Sequence, residues 1–393
     1  MRSSLVVFPF RVEDSEVLLR NIREAAVHPR VEAVLCVGWS ENECYRQIKA
    51  AIPTISAEAH KRVDLLLQER LGERRPGKGD GMNTGLKYFL EQTDCERLHF
   101  YDSDLLSFSG GWISKAEEAA DLGYQVVRHY FPRAATDAMV TWMITKTGFA
   151  LLWPDTELPF IEQPLGGELL MTREVAERLF ADRRVIERSD WGIDTIYTWA
   201  MVKHGFSMYE TYISVGKLHR LYGALSDLKE MVIECFATIQ ELKGERLETT
   251  RSGMIHRIER PGPVPEEIKW KTAYDLEGSL LLLMEGWTER QLELLDLFPE
   301  KIREGMRECR RRPRFKFMDD ESWYGTYKIL LRDFNFEDQD WRELLFKLWI
   351  ARVLNYTASV ALKGYDYALD YLYKMIEGFV RLALNTRRST SDR

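Results

Sequence analysis

Short apolar runs alternate with amphipathic stretches through the first half of the chain, and the two patterns predict strands and helices in turn. Residues 4–10 read as a strand, after which Leu18, Ile22 and Ala25 recur at helical spacing within 16–27. Residues 33–38 form a second apolar run. Ser40 and Glu43 have the spacing of a capping box and predict a helix over 44–52, closed by Pro53. A third strand is expected at 63–68, then a glycine-rich loop over 72–81 and a helix over 83–92. Residues 97–101 alternate polar and apolar side chains as a fourth strand. The pattern continues with helix 113–122, strand 125–131, helix 138–152, strand 168–171, helices 174–180 and 193–204, and strand 207–213. This alternation calls for a mainly parallel sheet covered on both faces.

After Ser226 almost every periodic segment is helical. Ser226 is placed to cap a helix over 227–242, and a polar stretch with Pro261, Pro263 and Pro265 follows. Helices are then expected over 266–285, 289–297, 301–311, 321–332, 341–362 and 365–384, with Thr288 and Gln291 at capping-box spacing before the second. The expected organisation is an α/β domain over 1–225 and an α-helical domain over 226–393.

A length of 393 residues suits two domains, and a 45% apolar composition supports sizeable cores. The net charge of −7 argues against a general nucleic-acid or anionic-membrane binder while leaving room for a local basic pocket. The apolar run at residues 5–10 is too short for a signal peptide or a membrane span, so a soluble, cytoplasmic protein is expected. Cys36, Cys44, Cys95, Cys235 and Cys309 are odd in number and scattered, which indicates reduced thiols rather than a disulfide framework or a zinc site.

The fourth strand runs directly into Asp102, Ser103 and Asp104. Strand carboxyl ends floor the ligand crevice of an α/β sheet. Two hard oxygen ligands there suit Mg²⁺ or Mn²⁺, with Ca²⁺ a further candidate, and a nucleotide-sugar diphosphate would complete the shell. The same three residues are also ordinary turn formers. In RPGKGDGMN (75–83) backbone amides and Lys78 can hold phosphate at a helix start, or the glycines can serve a plain connection; the run is neither a Walker loop nor G-x-G-x-x-G. In HYFPRAATDAMVTW (129–142) Arg133 can grip a carboxylate while Asp137 and Thr141 share a helix face, or Asp137 or Thr136 can simply cap the helix with Arg133 facing water. Asp194 stands at a helix start behind Gly192, as an N-cap or as a site acid. VGKLHRLYG (215–223) is a donor-rich loop between glycines that can close over a diphosphate, His219 completing a metal shell.

The order of these signals matches metal-dependent nucleotide-sugar glycosyltransferases of the GT-A fold, with a mixed, mainly parallel sheet followed by an all-helical region. The phrases LVVFPF, RLGERRPGKGDGMNTGL, HFYDSD, RHYFPRAATDAM, SDWGID and HRLYGAL closely resemble the mannosylglycerate synthase family. The resemblance runs from Leu5 to near Leu384 and includes ELLFKLW and RVLNYT. It implies GDP-mannose as donor, D-glycerate as acceptor and a compatible solute, α-mannosylglycerate, formed with retained configuration. By this resemblance Pro9, Arg11, Glu13 and Gln68 line the nucleotide end, and Lys78 approaches the diphosphate and sugar. Asp102 contacts donor hydroxyls, Asp104 and His219 hold the metal, Leu165 and Gly166 flank the mannose, and Asp194 bonds its hydroxyls. Arg133, Asp137, Thr141 and Tyr222 gather the acceptor. Trp39 stands where the family commonly has a nucleotide-stacking Tyr. Lys78, Asp102 and Asp194 are the expected catalytic set. Rival readings are a GDP- or UDP-glucose enzyme acting on a small hydroxy acid and a non-catalytic sugar-nucleotide binder. A homo-oligomer is expected from the apolar helices of the second half.

Overall fold

The computed structural model describes residues 3–12, 14–218, 224–247, 256–312 and 314–391. They fall into two compact units between which the chain passes repeatedly. The first draws on Met1–Pro132, Ile161–Arg220 and Glu248–Pro265, the second on Arg133–Phe160, Leu221–Leu247 and Glu266–Arg393. No single cut in the sequence separates them.

The first unit is built on an eight-stranded sheet. Its strands are β1 (Ser4–Phe10), β2 (Val31–Gly38), β3 (Arg62–Leu67), β4 (Arg97–Phe100), β5 (Val126–Tyr130), β6 (Leu169–Thr172), β7 (Met208–Tyr212) and β8 (His256–Ile258), in the spatial order β3-β2-β1-β4-β6-β5-β7-β8. Every neighbouring pair is parallel except those made by β6, which runs antiparallel to both β4 and β5. β1 and β2 read as near-continuous apolar runs because both their faces are covered. Val6, Phe8, Leu18, Ile22, Tyr101, Trp112 and Ile113 share one core on one side. The direction of β6 matters most for function. Phe100 pairs with Leu169, so the chain leaving β4 and the chain entering β6 lie side by side at one edge of the sheet.

Four helices fill the early crossovers: α1 (Ser15–Ala26), α2 (Glu43–Ala59), α3 (Lys78–Gln92) and α4 (Gly110–Asp121). The expected capping of α2 by Ser40 is corrected to Asn42, whose side chain accepts from Tyr45 N at 3.0 Å. Nor does Pro53 end α2, which continues for six more residues to Ala59. Pro53 lies on the exposed side, where the carbonyl it leaves unbonded faces water. The expected loop over 72–81 is shorter, since α3 already begins at Lys78. β8 was hidden in the polar, proline-flanked stretch.

In the second unit the helix Gln339–Ser359 is buried almost all round from Trp341 to Thr357, as befits a central helix. Two corrections belong here. The expected helix over 138–152 begins with a π turn at Thr141–Lys146, whose Met143 and Ile144 carbonyls accept from Trp323 Nε1 at 3.1 Å and Tyr327 Oη at 2.8 Å. The expected helix over 266–285 is two pieces, because Asp275 caps a new start at Leu276 by accepting from Glu277 and Gly278 N. Ser226 does not cap its helix. It lies inside a 3₁₀ turn, Leu225–Leu228, that precedes Lys229–Glu241.

Candidate active site

The glycine-rich run that opens α3 is a packing device. A Cβ on Gly79 would lie 2.2 Å from Arg188 O, and one on Gly72 would lie 2.7 Å from Glu187 O, so backbone meets backbone there. Buried Asp80 organises the turn by accepting from Leu71 N, Gly72 N and Arg70 Nη1 at 3.1, 3.0 and 2.8 Å. Asn83 donates to Val185 O at 3.0 Å and accepts from Tyr197 Oη at 3.0 Å, fixing the facing loop and helix. The outcome is a rigid N-terminal turn from which Lys78 projects beneath Trp191, 6.0 Å from the ring centroid.

Lys78 Nζ lies 3.0 Å from Asp194 Oδ2 and 3.1 Å from Asp102 Oδ1. Lys217 Nζ lies 2.5 Å from Asp102 Oδ2 and 2.6 Å from Glu168 Oε1. Five charged groups from five elements thus alternate in sign: Asp194, Lys78, Asp102, Lys217, Glu168. Burial alone would discharge them, but the ammonium groups of Lys217 and Lys78 hold the Asp102 carboxyl well below the usual range. Burial pushes Glu168 up to about 7 against the pull of Lys217, and the nearby Asp102 charge adds to the rise. Burial also raises Asp194, opposed by Lys78. Lys78 itself would lose its proton by burial, yet Asp102 and Asp194 keep it firmly charged.

Asp194 does not cap its helix. It sits in the first turn of Ile193–Lys203, while Asp190 accepts from Gly192 N at 2.9 Å. Gly167 lies against the array, because a Cβ there would fall 2.3 Å from Asp102 Oδ1 and 2.8 Å from Lys78 Nζ. Sequence reasoning missed Glu168, read only as a strand start, and the buried residues that hold the segment before it. Arg128 donates to Gln163 O at 3.1 Å and to Thr198 Oγ1 at 2.7 Å. Glu210 accepts from Glu162 N at 2.9 Å and from Gln163 N at 3.3 Å. Nothing in a strand pattern distinguishes such an arginine or glutamate from an outward-facing one.

The loop after β4 is also fastened to the segment that carries Lys217. Leu106 N donates to Leu218 O at 2.7 Å, and Ser107 Oγ donates to Gly216 O at 2.8 Å while accepting from Leu218 N at 3.1 Å. At the nucleotide end, Pro9 and Gln68 converge on Gly81, whose Cβ would lie 3.4 and 3.5 Å from them. Arg11 covers one face of Trp39 at 4.9 Å. Half-buried Leu165 and buried Gly166 belong to the segment that Arg128 holds. In the second unit, Arg133 pairs with Asp137 at 3.4 Å and Thr141 is buried at the start of the π turn. Glu13, His219 and Tyr222 lie outside the described residues. Asp104 is partly exposed, two residues beyond Asp102 in the chain. Among the described residues no three metal-binding side chains cluster, and one or two carboxylates with substrate phosphates are all that Mg²⁺ or Mn²⁺ needs. A hard carboxylate in Asp104's position fits that requirement.

Comparison with known proteins is decisive. A model of the mannosylglycerate synthase GT domain matches residues 4–241, and one of the mannosylglycerate synthase C-terminal domain matches residues 268–376. The chain belongs to the mannosylglycerate synthase family. It is 60% identical over 373 residues to mannosylglycerate synthase of Rhodothermus marinus, covering 95% of this chain and 93% of that one. It is 52% identical over 375 residues to that of Selaginella moellendorffii, covering 95% and 88%. Among solved structures it resembles glucosyl-3-phosphoglycerate synthase from Mycobacterium tuberculosis in complex with Mg²⁺ and UDP, at 20% identity and a TM-score of 0.49, over 62% of this chain and 80% of that one. Family membership makes the chain a glycosyltransferase, and its mixed, mainly parallel sheet followed by helices is the GT-A architecture with a helical C-terminal region. Among the described residues no helix is long and apolar enough to cross a membrane.

Proposed function

We propose that the protein transfers mannose from GDP-mannose to the 2-hydroxyl of D-glycerate, forming α-mannosylglycerate with retained configuration. The observation that carries this reading is the alternating array of Asp194, Lys78, Asp102, Lys217 and Glu168. Breaking a sugar–phosphate bond leaves an oxocarbenium-like sugar and a diphosphate of growing negative charge. Lys78 and Lys217 are fixed cations for the second, and Asp194 and Asp102 are acceptors for the hydroxyls of the first. A divalent ion, held by Asp104 and His219, would act as a Lewis acid on the diphosphate when bound.

Asp194 is held by Lys78 in the first turn of its helix, a charge-paired setting that suits hydroxyl binding better than nucleophilic attack. The proposed course is therefore attack by the glycerate hydroxyl on the face the diphosphate leaves, a phosphate oxygen taking the proton. A mannosyl adduct trapped on Asp194 would overturn this course. Arg133, paired with Asp137, is the proposed grip for the acceptor carboxylate, with Thr141 and Tyr222 beside it in role. Buried thiols at all five cysteines are in keeping with a cytoplasmic setting.

The test is release of GDP from GDP-mannose with D-glycerate and Mg²⁺ or Mn²⁺, compared with GDP-glucose and UDP-glucose. Asp104→Ala is expected to lose metal-dependent turnover, and an unchanged variant removes the metal assignment. Faster turnover of either glucose donor would replace mannose in the reading.

A further inference from the structure

Glu168 has no part in the donor contacts above, yet it is the most deeply buried acid of the array. Its side chain is 0% exposed, against 26% for Asp102 and 6% for Asp194. Strand direction brings it there. β6 is antiparallel to β4, so the residue before β6 arrives next to the residues after β4. Its backbone oxygen is already engaged by His129 N at 3.2 Å. Lys217 donates to Oε1 at 2.6 Å, the carboxyl also lies within side-chain reach of Asp102, and Oε2 is buried with no donor. A carboxylate with half its accepting capacity empty in the interior is costly to keep. Its clearest product is the position of Lys217, which it holds together with Asp102.

We propose that Glu168 is a positioning residue: it shares Lys217 with Asp102, so that the ammonium stays aimed at the diphosphate instead of settling onto Asp102 alone. The proposal rests on the reading of this cleft as the nucleotide-sugar site. Charge on the diphosphate grows as the bond breaks, so misplacing Lys217 slows the chemical step more than it weakens donor binding.

The experiment compares Glu168→Gln, Lys217→Met and the double variant with the wild-type enzyme at pH 8, measuring kcat and KM for GDP-mannose. Glu168→Gln preserves size and removes the second anionic partner. It is expected to lower kcat about 30-fold with KM changed less than about threefold. Lys217→Met, which removes the same contact from the other side, must show the same split. The double variant should be no slower than Lys217→Met, because the glutamate acts through the lysine. Wild-type kcat in Glu168→Gln, or additive losses in the double variant, would overturn the proposal. Should the wild-type protein turn over no donor, the reading of the cleft fails and the pairing is judged by a crystal structure of Glu168→Gln. There Lys217 Nζ must leave its place between the two acids; an unmoved lysine overturns the proposal.

Discussion

Glu117 and Glu168 are both buried in the first unit, at side-chain exposures of 2% and 0%, and they stand on opposite sides of the ordinary glutamate value. Burial would raise both. Glu117 is instead brought down to about 2, because His99 Nε2 at 2.8 Å, Ser4 Oγ at 2.5 Å and the Arg97 guanidinium all donate to it. Glu168 has one donor, shared with Asp102, and rises to about 7. The same short strand supplies both neighbourhoods, with Arg97 and His99 on β4 itself and Asp102 just beyond it. A buried acid saturated with donors is a staple of the fold, whereas one left short of donors beside other charges marks a place where a ligand is to finish the arrangement.

The largest effect that follows is on the site side. Lys78→Met leaves Asp102 and Asp194 without their shared cation and removes a charge aimed at the leaving group. It should lower kcat by about 10³-fold, comparable to deleting a principal electrostatic contact. Urea unfolding should change much less. A variant that instead unfolds while keeping its turnover would put Lys78 with the staples.

Glu117→Gln should do the reverse. It takes the carboxylate away from buried Arg97, which keeps Asp121 at 2.7 Å, and from His99 and Ser4, so stability should fall by about 2 kcal/mol, while kcat at a temperature where the protein is folded stays within about twofold. The pH dependence has a definite sign. The folded pKa of about 2 lies below the unfolded value, so Glu117 stabilises fully above about pH 4.5 and its contribution fades as pH falls towards 2. Stability measured across that window should slope steeply in the wild type and more shallowly in Glu117→Gln.

The contrast itself was not open to sequence reading, although much of the framework around it was, and the rest escaped for physical reasons. Strand and helix order was legible because apolar runs and helical spacing report burial directly. Lys78, Asp102 and Asp194, though far apart in sequence, do come together. Glu168 escaped because an acid is sought where a parallel strand ends, and β6 is antiparallel and presents its beginning at that edge. Strand direction has no signature in a four-residue run. Arg128 escaped because its role is visible only once the carbonyls of Gln163 and Gly166 are seen to surround it.

Gly167 makes the direction of β6 testable. It sits opposite Asp102 by extension of the β4–β6 register, and a methyl group there would collide with the Asp102 carboxylate and the Lys78 ammonium. Gly167→Ala should lower kcat about tenfold to 30-fold by displacing the array, with less change in stability than Glu117→Gln.

The smallest effect distinguishes fastening from charge. Ser107 carries no charge, and its hydroxyl bonds both Gly216 O and Leu218 N, joining the loop after Asp104 to the segment that runs on to His219. Ser107→Ala removes two neutral hydrogen bonds at a partly exposed position, worth about 1 kcal/mol together. Losing them should loosen the approach of the two proposed metal ligands without altering either one. The expected result is a fewfold weaker affinity for Mn²⁺, read from the free-ion electron paramagnetic resonance signal during titration, and a kcat at saturating Mn²⁺ within about twofold of wild type. A loss of kcat that excess Mn²⁺ does not restore would instead place Ser107 with Lys78, among the groups that set the electrostatics of the array.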